Sequence, residues 1–305
     1  MKTKEMRGNL LLLITAAIWG SAFVAQSVGM DYVGPFTFQA VRNLLGALAL
    51  LPVILLHNRK KKRDGEAPMT KEEKKQLWIG GLVCGTVLGV AGCLQQIGVQ
   101  HTTVGKAGFI TALYILIVPV LGLLFHKKVP FKILGCIVIA VVGLYLLCVQ
   151  DSFSLSKGDA FVALCALGFS VHIMVVDYYA ARVDGLKLSC LQFFVAGLFS
   201  MIPTLLTEEP NMQGILNAWL PIVYGGVFSS GIGYTLQVLG QKYTKPTVAS
   251  LLMSLESVFA VLAGIVLLGQ IPTLRETIGC LLMFGAIVLA QLPGKEKTEN
   301  RKLSE

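Results

Sequence analysis

Charge is scarce in this sequence. Lys, Arg, Asp and Glu together make 14% of its 305 residues, against about 25% in soluble globular chains. The stretches 9–30, 76–105, 133–150, 188–207 and 210–241 carry none. An ordinary soluble domain is thereby excluded. No CxxC spacing occurs either. The seven cysteines (84, 93, 136, 148, 165, 190 and 280) are odd in number and lie in apolar runs. That argues against a disulfide framework or a zinc site and leaves small packing residues. There is no Walker A pattern and no room for a nucleotide-binding domain, so ATP-driven transport by this chain alone is not expected. Metal-ligand clusters and a nucleophile elbow are also missing, so the sequence predicts no cofactor and no enzymatic chemistry.

What is there is apolar: 54% of residues are hydrophobic, with a mean hydropathy of +0.71. A run of about 18 or more apolar residues can cross a bilayer as a helix. Ten such spans are expected, at 9–29, 34–56, 77–99, 104–125, 132–150, 159–180, 188–206, 216–238, 247–268 and 275–292. Lipid tolerates only helices or closed barrels, and these runs are too long and unalternating for barrel strands. The predicted fold class is an all-α integral membrane protein with ten transmembrane helices, neighbours antiparallel because their connections are short. Met1 to Arg7 followed by an apolar run resembles a signal peptide. That run is 22 residues long and another span follows soon after, so it reads as an uncleaved first helix.

The net charge of +9 does not point to nucleic acid, because the basic residues sit between spans. With the amino terminus inside, the inner segments hold Lys2, Lys4 and Arg7; Arg59 to Arg63 with Lys71, Lys74 and Lys75; Lys127, Lys128 and Lys132; Arg182 and Lys187; Lys242 and Lys245; and Lys295, Lys297, Arg301 and Lys302. The outer segments hold Lys106, Lys157 and Arg275, and Arg42 lies within a span. This bias places both termini in the cytoplasm of a multi-pass protein of the cell membrane. The cytoplasmic loop 57–77 carries the cluster Arg59 to Arg63, which either meets anionic lipid or anchors topology alone. Thr70-Lys71-Glu72-Glu73 fits a capping box, so span 3 is expected to begin as a cytoplasmic helical turn. The tail 294–305 is polar.

One stretch occurs twice. Leu94-Gln95-Gln96-Ile97-Gly98-Val99-Gln100-His101-Thr102 returns, 142 residues on, as Leu236-Gln237-Val238-Leu239-Gly240-Gln241-Lys242-Tyr243-Thr244. The same offset pairs Gly89 with Gly231, Ala107 with Ala249, Leu113 with Leu255, Gly122 with Gly264 and Pro130 with Pro272. The chain reads as a duplicated unit: a first repeat at 1–150, a second at 151–293 and a cytoplasmic tail at 294–305. Five spans per repeat is an odd number, so the second repeat enters the membrane upside down. Inverted repeats are the architecture of many secondary transporters, with substrate bound near the midplane where the halves meet. A duplication without transport consequence is the alternative.

Polar residues inside spans are costly in lipid and usually face the bundle interior. Glu256, mid-span between Ser254 and Ser257, either carries a coupling proton or binds an ammonium group, or is a protonated carboxyl bonded to a neighbouring helix. Its repeat mate is Tyr114, so the two halves differ at this point. Arg42, eight residues into span 2, either binds an anionic substrate group or is a structural pin near the outer surface; the pin is preferred. His172, four residues from Gly168 in span 6, relays protons or bonds a neighbouring helix, and Asp177 reads as an interface residue. Gln95 and Gln237 are repeat mates in the outer half of span 3 and the inner half of span 8. Their amides suit a zwitterion or a sugar, or glue helices without substrate. Trp19 and Gln26 share a face of span 1, and Gln192 in span 7 and Tyr234 in span 8 complete the expected lining. Gly81, Gly85 and Gly89 in span 3, with Gly225, Gly226, Ser229, Ser230, Gly231 and Gly233 in span 8, form small faces for close approach, static or sliding. Pro119 and Pro203 are candidate bends.

Ile18-Trp19-Gly20-Ser21-Ala22-Phe23 and Ala40-Val41-Arg42-Asn43-Leu44-Leu45 resemble the opening of an EamA domain. Gly158-Asp159-Ala160 through Ala166 resembles the start of a second copy. Leu236-Gln237 to Ala249, with Leu255-Glu256 and Leu267-Leu268-Gly269, resembles that copy's last two spans. The resemblance covers nearly the whole chain. It implies the drug/metabolite transporter superfamily: ten helices, two inverted EamA repeats and a central cavity. It also implies transport of amino acids, other metabolites or toxic compounds, often outward. Two positions depart from the pattern. Glu256-Ser257 stands where Glu-Pro is common, so the sequence supplies no proline to break span 9. Gly269-Gln270 stands where Gly-Glu is common. The expectation is a secondary transporter exporting small metabolites, amino acids first, by alternating access, with Glu256 or His172 as the point of proton coupling. Its partners are a small-molecule substrate, a proton and the lipid bilayer. The alternatives are a passive channel or facilitator, or a lipid-moving membrane protein.

Overall fold

The computed structural model describes residues 2–102, 104–124, 129–148, 156–268 and 273–292. The junction of the two repeats at 150, Lys127, Lys128, Gly269-Gln270, Pro272 and the tail 294–305 lie outside the described residues. In chain order the elements are α1 (Lys2–Gly29), α2 (Pro35–Arg63), α3 (Lys71–His101), α4 (Val104–Ala112), α5 (Tyr114–Leu124), α6 (Phe131–Cys148), α7 (Lys157–Ala180), α8 (Gly185–Thr207), α9 (Met212–Asn217), α10 (Trp219–Val223), a π-helical stretch (Tyr224–Tyr234), α11 (Thr235–Gln241), α12 (Pro246–Met253), α13 (Glu256–Leu268) and α14 (Leu274–Gln291). Where the sequence predicts ten spans, the described residues hold eight helices long and apolar enough to cross a membrane. Two shorter apolar helices, Phe131–Leu146 and Thr277–Ala290, accompany them. Leu48, Leu55, Leu82, Leu205, Val266 and Leu281 are exposed on the outside of this body. Lipid tails are as apolar as these side chains and cover them at no hydrophobic cost.

Capping chemistry sets several helix ends. The expected box at α3 is present: the Thr70 hydroxyl accepts from the Glu73 N–H at 3.2 Å, and the Glu73 carboxylate accepts from the Thr70 N–H at 2.8 Å. A second box, unread in the sequence, starts α7 with Ser156 and Asp159 at 3.1 and 2.8 Å. Thr102 donates to the same Asp159 at 2.5 Å and ties the end of α3 to the start of α7.

Helices α2 and α8 are pinned to each other at both ends. Gly34 gives α2 no side-chain cap. Glu208, from the end of α8, supplies one by accepting from the Phe36 and Thr37 N–H groups at 2.8 Å each and from the Thr37 hydroxyl at 2.5 Å. At the other end of the pair, Asp184 caps α8 and meets His57 and Lys61 of α2, both at 3.1 Å. Burial pushes the Asp184 carboxyl up, but the hydrogen bonds from Lys61 and the Lys187 N–H, the Lys61 charge and the His57 bond outweigh it. The carboxyl pKa therefore lies below its ordinary 3.8.

The small face of α3 is a packing seam. Gly81, Gly85 and Gly89 meet Leu191, Val195 and Phe199 of α8. A β-carbon on Gly85 would lie 2.5 Å from Val195 Cβ and 2.7 Å from the Gln192 carbonyl oxygen, so the two backbones approach as closely as they do only with glycine there. Helix α3 also packs along α7, and α1 packs along the π-helical stretch, α11 and α13.

Two rods, α4–α5 and α12–α13, are interrupted at positions that correspond in the repeat. The first changes helix between Ala112 and Tyr114, the second between Met253 and Glu256. The Leu113 N–H closes on the Ile110 carbonyl at 3.2 Å, and the Leu255 N–H on the Leu252 carbonyl at 3.3 Å. These tighter i→i+3 closures replace the α-helical ladder locally. The lack of proline after Glu256 gave no reason to expect a break in span 9, and the structure corrects that expectation. Ser254 turns its hydroxyl onto the Leu251 carbonyl at 2.8 Å, a local side-chain bond that competes with the helix. The candidate bends Pro119 and Pro203 sit inside α5 and α8 and end neither element.

A central cavity between the two helix breaks

The two breaks meet. The Tyr114 hydroxyl donates to Glu256 Oε1 at 3.0 Å, and these two residues are repeat mates 142 positions apart. Both are buried. Around this bond lies a cavity lined by Trp19, Phe23 and Gln26 from α1, Arg42 from α2, Gln95 from α3, Thr111 and Tyr114 from α4 and α5, Phe169, His172 and Ile173 from α7, Ser229 and Tyr234 from the π-helical stretch, Gln237 from α11 and Glu256. The space open to the centre of a water-sized sphere is about 30 Å³. At roughly 10–15 Å³ per water on that measure, two or three waters fill it. Anything larger enters only if the helices part.

The sequence-predicted residues converge here, with one exception. Gln192 is not in the lining; it stands behind His172, whose Nε2 lies 3.0 Å from Gln192 Oε1. With that oxygen accepting, Nε2 carries the proton and His172 Nδ1 is an acceptor. Arg42, read as an anion-binding group or a pin near the outer surface, is 1% exposed and faces the cavity. Gln95 and Gln237, paired in the repeat, both reach the same cavity, and Gln95 donates to the Thr111 hydroxyl at 3.3 Å.

Tyr234 is the aromatic hub. Its ring centroid lies 4.5 Å from Trp19, 5.9 Å from His172 and 6.1 Å from Phe193, the last two edge-on. The π-helical stretch that carries it is held by α1: Thr15 donates to the Gly233 carbonyl at 3.1 Å and the Trp19 indole to the Ser229 carbonyl at 3.4 Å. Widened turns of this kind occur often at functional sites because they displace side chains and carbonyls from the helical ladder.

The cavity also holds unmade hydrogen bonds. Arg42 Nε and Nη1, Gln26 Oε1, Gln237 Oε1 and His172 Nδ1 are buried without a protein partner. Among the described residues no carboxylate lies within 4.0 Å of Arg42, and its guanidinium stands 5.9 Å from the centre of the Phe38 ring. No group of three or more His, Cys, Asp or Glu capable of holding a metal occurs among the described residues.

Phe23, Thr111, Phe169, Ile173 and Ser229 line the cavity without having been expected there. Thr111 lies one helical turn before Tyr114, and that spacing was a usable signal. Ser229 was read only as part of a small face. The three apolar residues carried no signal in a chain where apolar side chains are the rule.

A body of apolar helices enclosing a buried polar cavity defines the class: a multi-pass membrane protein. The model of the EamA-like transporter family matches residues 6–149 and again 156–292. The chain belongs to the EamA-like transporter family, whose members are transporters and not enzymes. It is 27% identical over 290 residues to an uncharacterized transporter of Archaeoglobus fulgidus, covering 95% of this chain and 87% of that one. It is 21% identical to the uncharacterized transporter YoaV of Bacillus subtilis, over 89% of this chain and 92% of that protein. The WAT1-related protein At3g02690, chloroplastic, of Arabidopsis thaliana is 24% identical, over 90% and 67% of the two chains. A protein of known crystal structure, 18% identical, superposes over 92% of this chain and 95% of its own with a TM-score of 0.73, and so shares the fold.

Proposed function

We propose that this transporter is a secondary carrier that moves small polar or amphipathic metabolites, amino acids first among them, out of the cell by alternating access. Ten helices cross the cell membrane with both termini cytoplasmic, and two inverted five-helix repeats, 1–150 and 151–293, rock about the central cavity. The observation that carries this reading is the Tyr114–Glu256 bond, in which corresponding breaks of the two repeats meet inside a buried polar cavity. A site at the junction of inverted repeats is open to each side in turn when one repeat moves against the other. The unpartnered polar atoms of the lining support a polar solute. Glu256 and His172 are the two groups in the cavity suited to coupling a proton. No observation favours a lipid-moving role.

Counterflow in proteoliposomes tests the carrier. Internal unlabelled amino acid is expected to accelerate entry of the labelled one, as a carrier requires and an open pore does not. Uptake that follows an imposed pH gradient is the expected sign of proton coupling; indifference to the gradient leaves a uniporter or an exchanger.

A further inference from the structure

Two helix pairs are fastened by the same device. Where the end of α3 meets the start of α7, the Thr102 hydroxyl donates to Asp159 Oδ1 at 2.5 Å. Where the chain leaving α11 meets the first turns of α1, the Thr244 hydroxyl donates to Asn9 Oδ1 at 2.9 Å. Thr102 and Thr244 are repeat mates, 142 positions apart. Their acceptors correspond as well, because one constant shift pairs Gly8-Asn9 with Gly158-Asp159, Leu12 with Val162 and Trp19 with Phe169. The backbone crossing beside each bond also matches. A β-carbon on Gly98 would lie 3.0 Å from the Gly158 carbonyl oxygen, and one on Gly240 would lie 3.0 Å from the Gly8 carbonyl oxygen. Each pair of backbones approaches this closely only with glycine at the crossing.

Each clasp joins one repeat to the other, since α1 and α3 belong to the first and α7 and α11 to the second. The clasps lie at opposite ends of the bundle, because α1, α2 and α3 run alternately. The cavity lies between them. Thr102 stands about two helical turns beyond Gln95, and Thr244 the same beyond Gln237. Asp159 precedes Phe169 by as many residues as Asn9 precedes Trp19, and these four neighbours all line the cavity. The α2–α8 pair has a carboxylate contact at each end, from Glu208 and from Asp184, and so treats the two ends alike. The clasps do not, for one acceptor is an acid and the other an amide.

From this geometry we infer that the two clasps are latches that open in turn, and that the acid makes the outer latch the tighter, so that the cavity opens to the cytoplasm more readily than outward. The inference rests on the carrier reading and its topology, which put Thr102 and Asp159 outside and Thr244 and Asn9 inside. It adds the contacts that break and the bias between them. A hydroxyl bonded to a carboxylate is shorter and roughly twice as strong as a neutral pair, and 2.5 Å against 2.9 Å follows that order. Every interaction present only while one mouth is shut shifts the population toward the states in which that mouth is shut. A carrier that opens inward more readily loads from the cytoplasm, which is the direction export needs.

The test places one reporter thiol in the cavity of the full-length protein, Ser229→Cys with the seven native cysteines replaced. Vesicles of defined orientation receive a membrane-impermeant maleimide from one face at a time, and the rate of modification is read for each face. Thr102→Val removes the outer latch bond and leaves the Ser156–Asp159 capping box in place. It is expected to speed modification from the outer face about tenfold, the worth of a charge-assisted bond, without speeding it from the inner face. Thr244→Val is expected to do the reverse, by about threefold, the worth of a neutral bond. Thr102→Ser and Thr244→Ser, which keep the hydroxyl, should retain the parent rates. Asn9→Asp gives the inner latch the acid of the outer one and should slow modification from the inner face. If the valine variants change neither face, or speed both alike, the latches are overturned; if Asn9→Asp speeds the inner face, the bias is overturned. The carrier reading stands in these cases as long as the parent is modified from both faces. A parent modified from one face only overturns the carrier reading, and the latches fall with it. Each latch has its own variant, so misfolding of one leaves the other to decide.

Discussion

Glu208 is the sharpest place to test how α2 and α8 hold each other. Its carboxylate accepts three bonds at the start of α2, at 2.8, 2.8 and 2.5 Å, where Gly34 offers no cap of its own. Loss of a helix N-cap costs about 1 kcal/mol, hydrogen bonds to a charged group are worth about 1.5–3 kcal/mol, and a negative charge at a helix N-terminus adds about 0.3–1 kcal/mol. These terms describe the same contacts and overlap, and Glu208 is half-buried. Glu208→Ala is therefore expected to cost about 2 kcal/mol. Glu208→Gln, which keeps one acceptor oxygen and loses the charge, should cost about half as much. Neighbouring Glu209 is exposed, so Glu209→Ala should stay within about 0.5 kcal/mol of the parent. Equilibrium unfolding of the protein in micelles, followed by tryptophan fluorescence, gives all three values. If Glu208→Ala and Glu209→Ala are indistinguishable, the capping carboxylate is not what holds this end of the helix pair.

Three further perturbations follow from the same contacts. Asp184 has a folded pKa below its ordinary 3.8, so its contribution is present above that value and lost as pH falls through the folded value. The stability gap between the parent and Asp184→Asn should accordingly close on acidification below pH 3.8, and a gap that persists through that range contradicts the assignment. Tyr114→Phe removes the bond to Glu256 and should lower stability by about 1–2 kcal/mol in the same unfolding assay, because the buried carboxyl loses a donor; a neutral result means that the bond contributes nothing to holding the breaks together. A β-carbon on Gly20 would lie 2.5 Å from the Glu256 carbonyl oxygen and 2.7 Å from the Ala260 N. Gly20→Ala should therefore cost about 1–3 kcal/mol by forcing α1 from α13, whereas Gly285→Ala, with nothing within 4 Å, should be neutral or slightly stabilising.

Much of the architecture was legible because lipid leaves a chain few options. Apolar runs mark helices, and polar residues inside them turn inward, which is why Trp19, Gln26, Arg42, Gln95, Tyr114, His172, Tyr234, Gln237 and Glu256 share one cavity. The repeat offset paired Tyr114 with Glu256 but not as partners in a bond; repeat mates meet only at the point where the two repeats face each other, and a sequence carries no distance. The break at Ser254 was invisible because serine and leucine are ordinary helix residues in an apolar run, and the interruption comes from local i→i+3 closures and not from proline. Glu208 was unreadable as a cap because its target lies on α2, 171 and 172 positions away in sequence. Arg42 kept two readings, an anion-binding group or a pin, because a place within a span carries no record of what the guanidinium faces.

Alternating exposure of the cavity is open to direct measurement. Ser229 lines the cavity from the π-helical stretch, and Ser229→Cys, with the seven native cysteines replaced, places one thiol there. Vesicles of defined orientation are treated with a membrane-impermeant thiol reagent from one side at a time. If the two repeats open the cavity to each side in turn, the thiol is modified from both sides, and a transported amino acid slows modification from both. Modification from one side only, with or without amino acid, contradicts alternating access to this cavity.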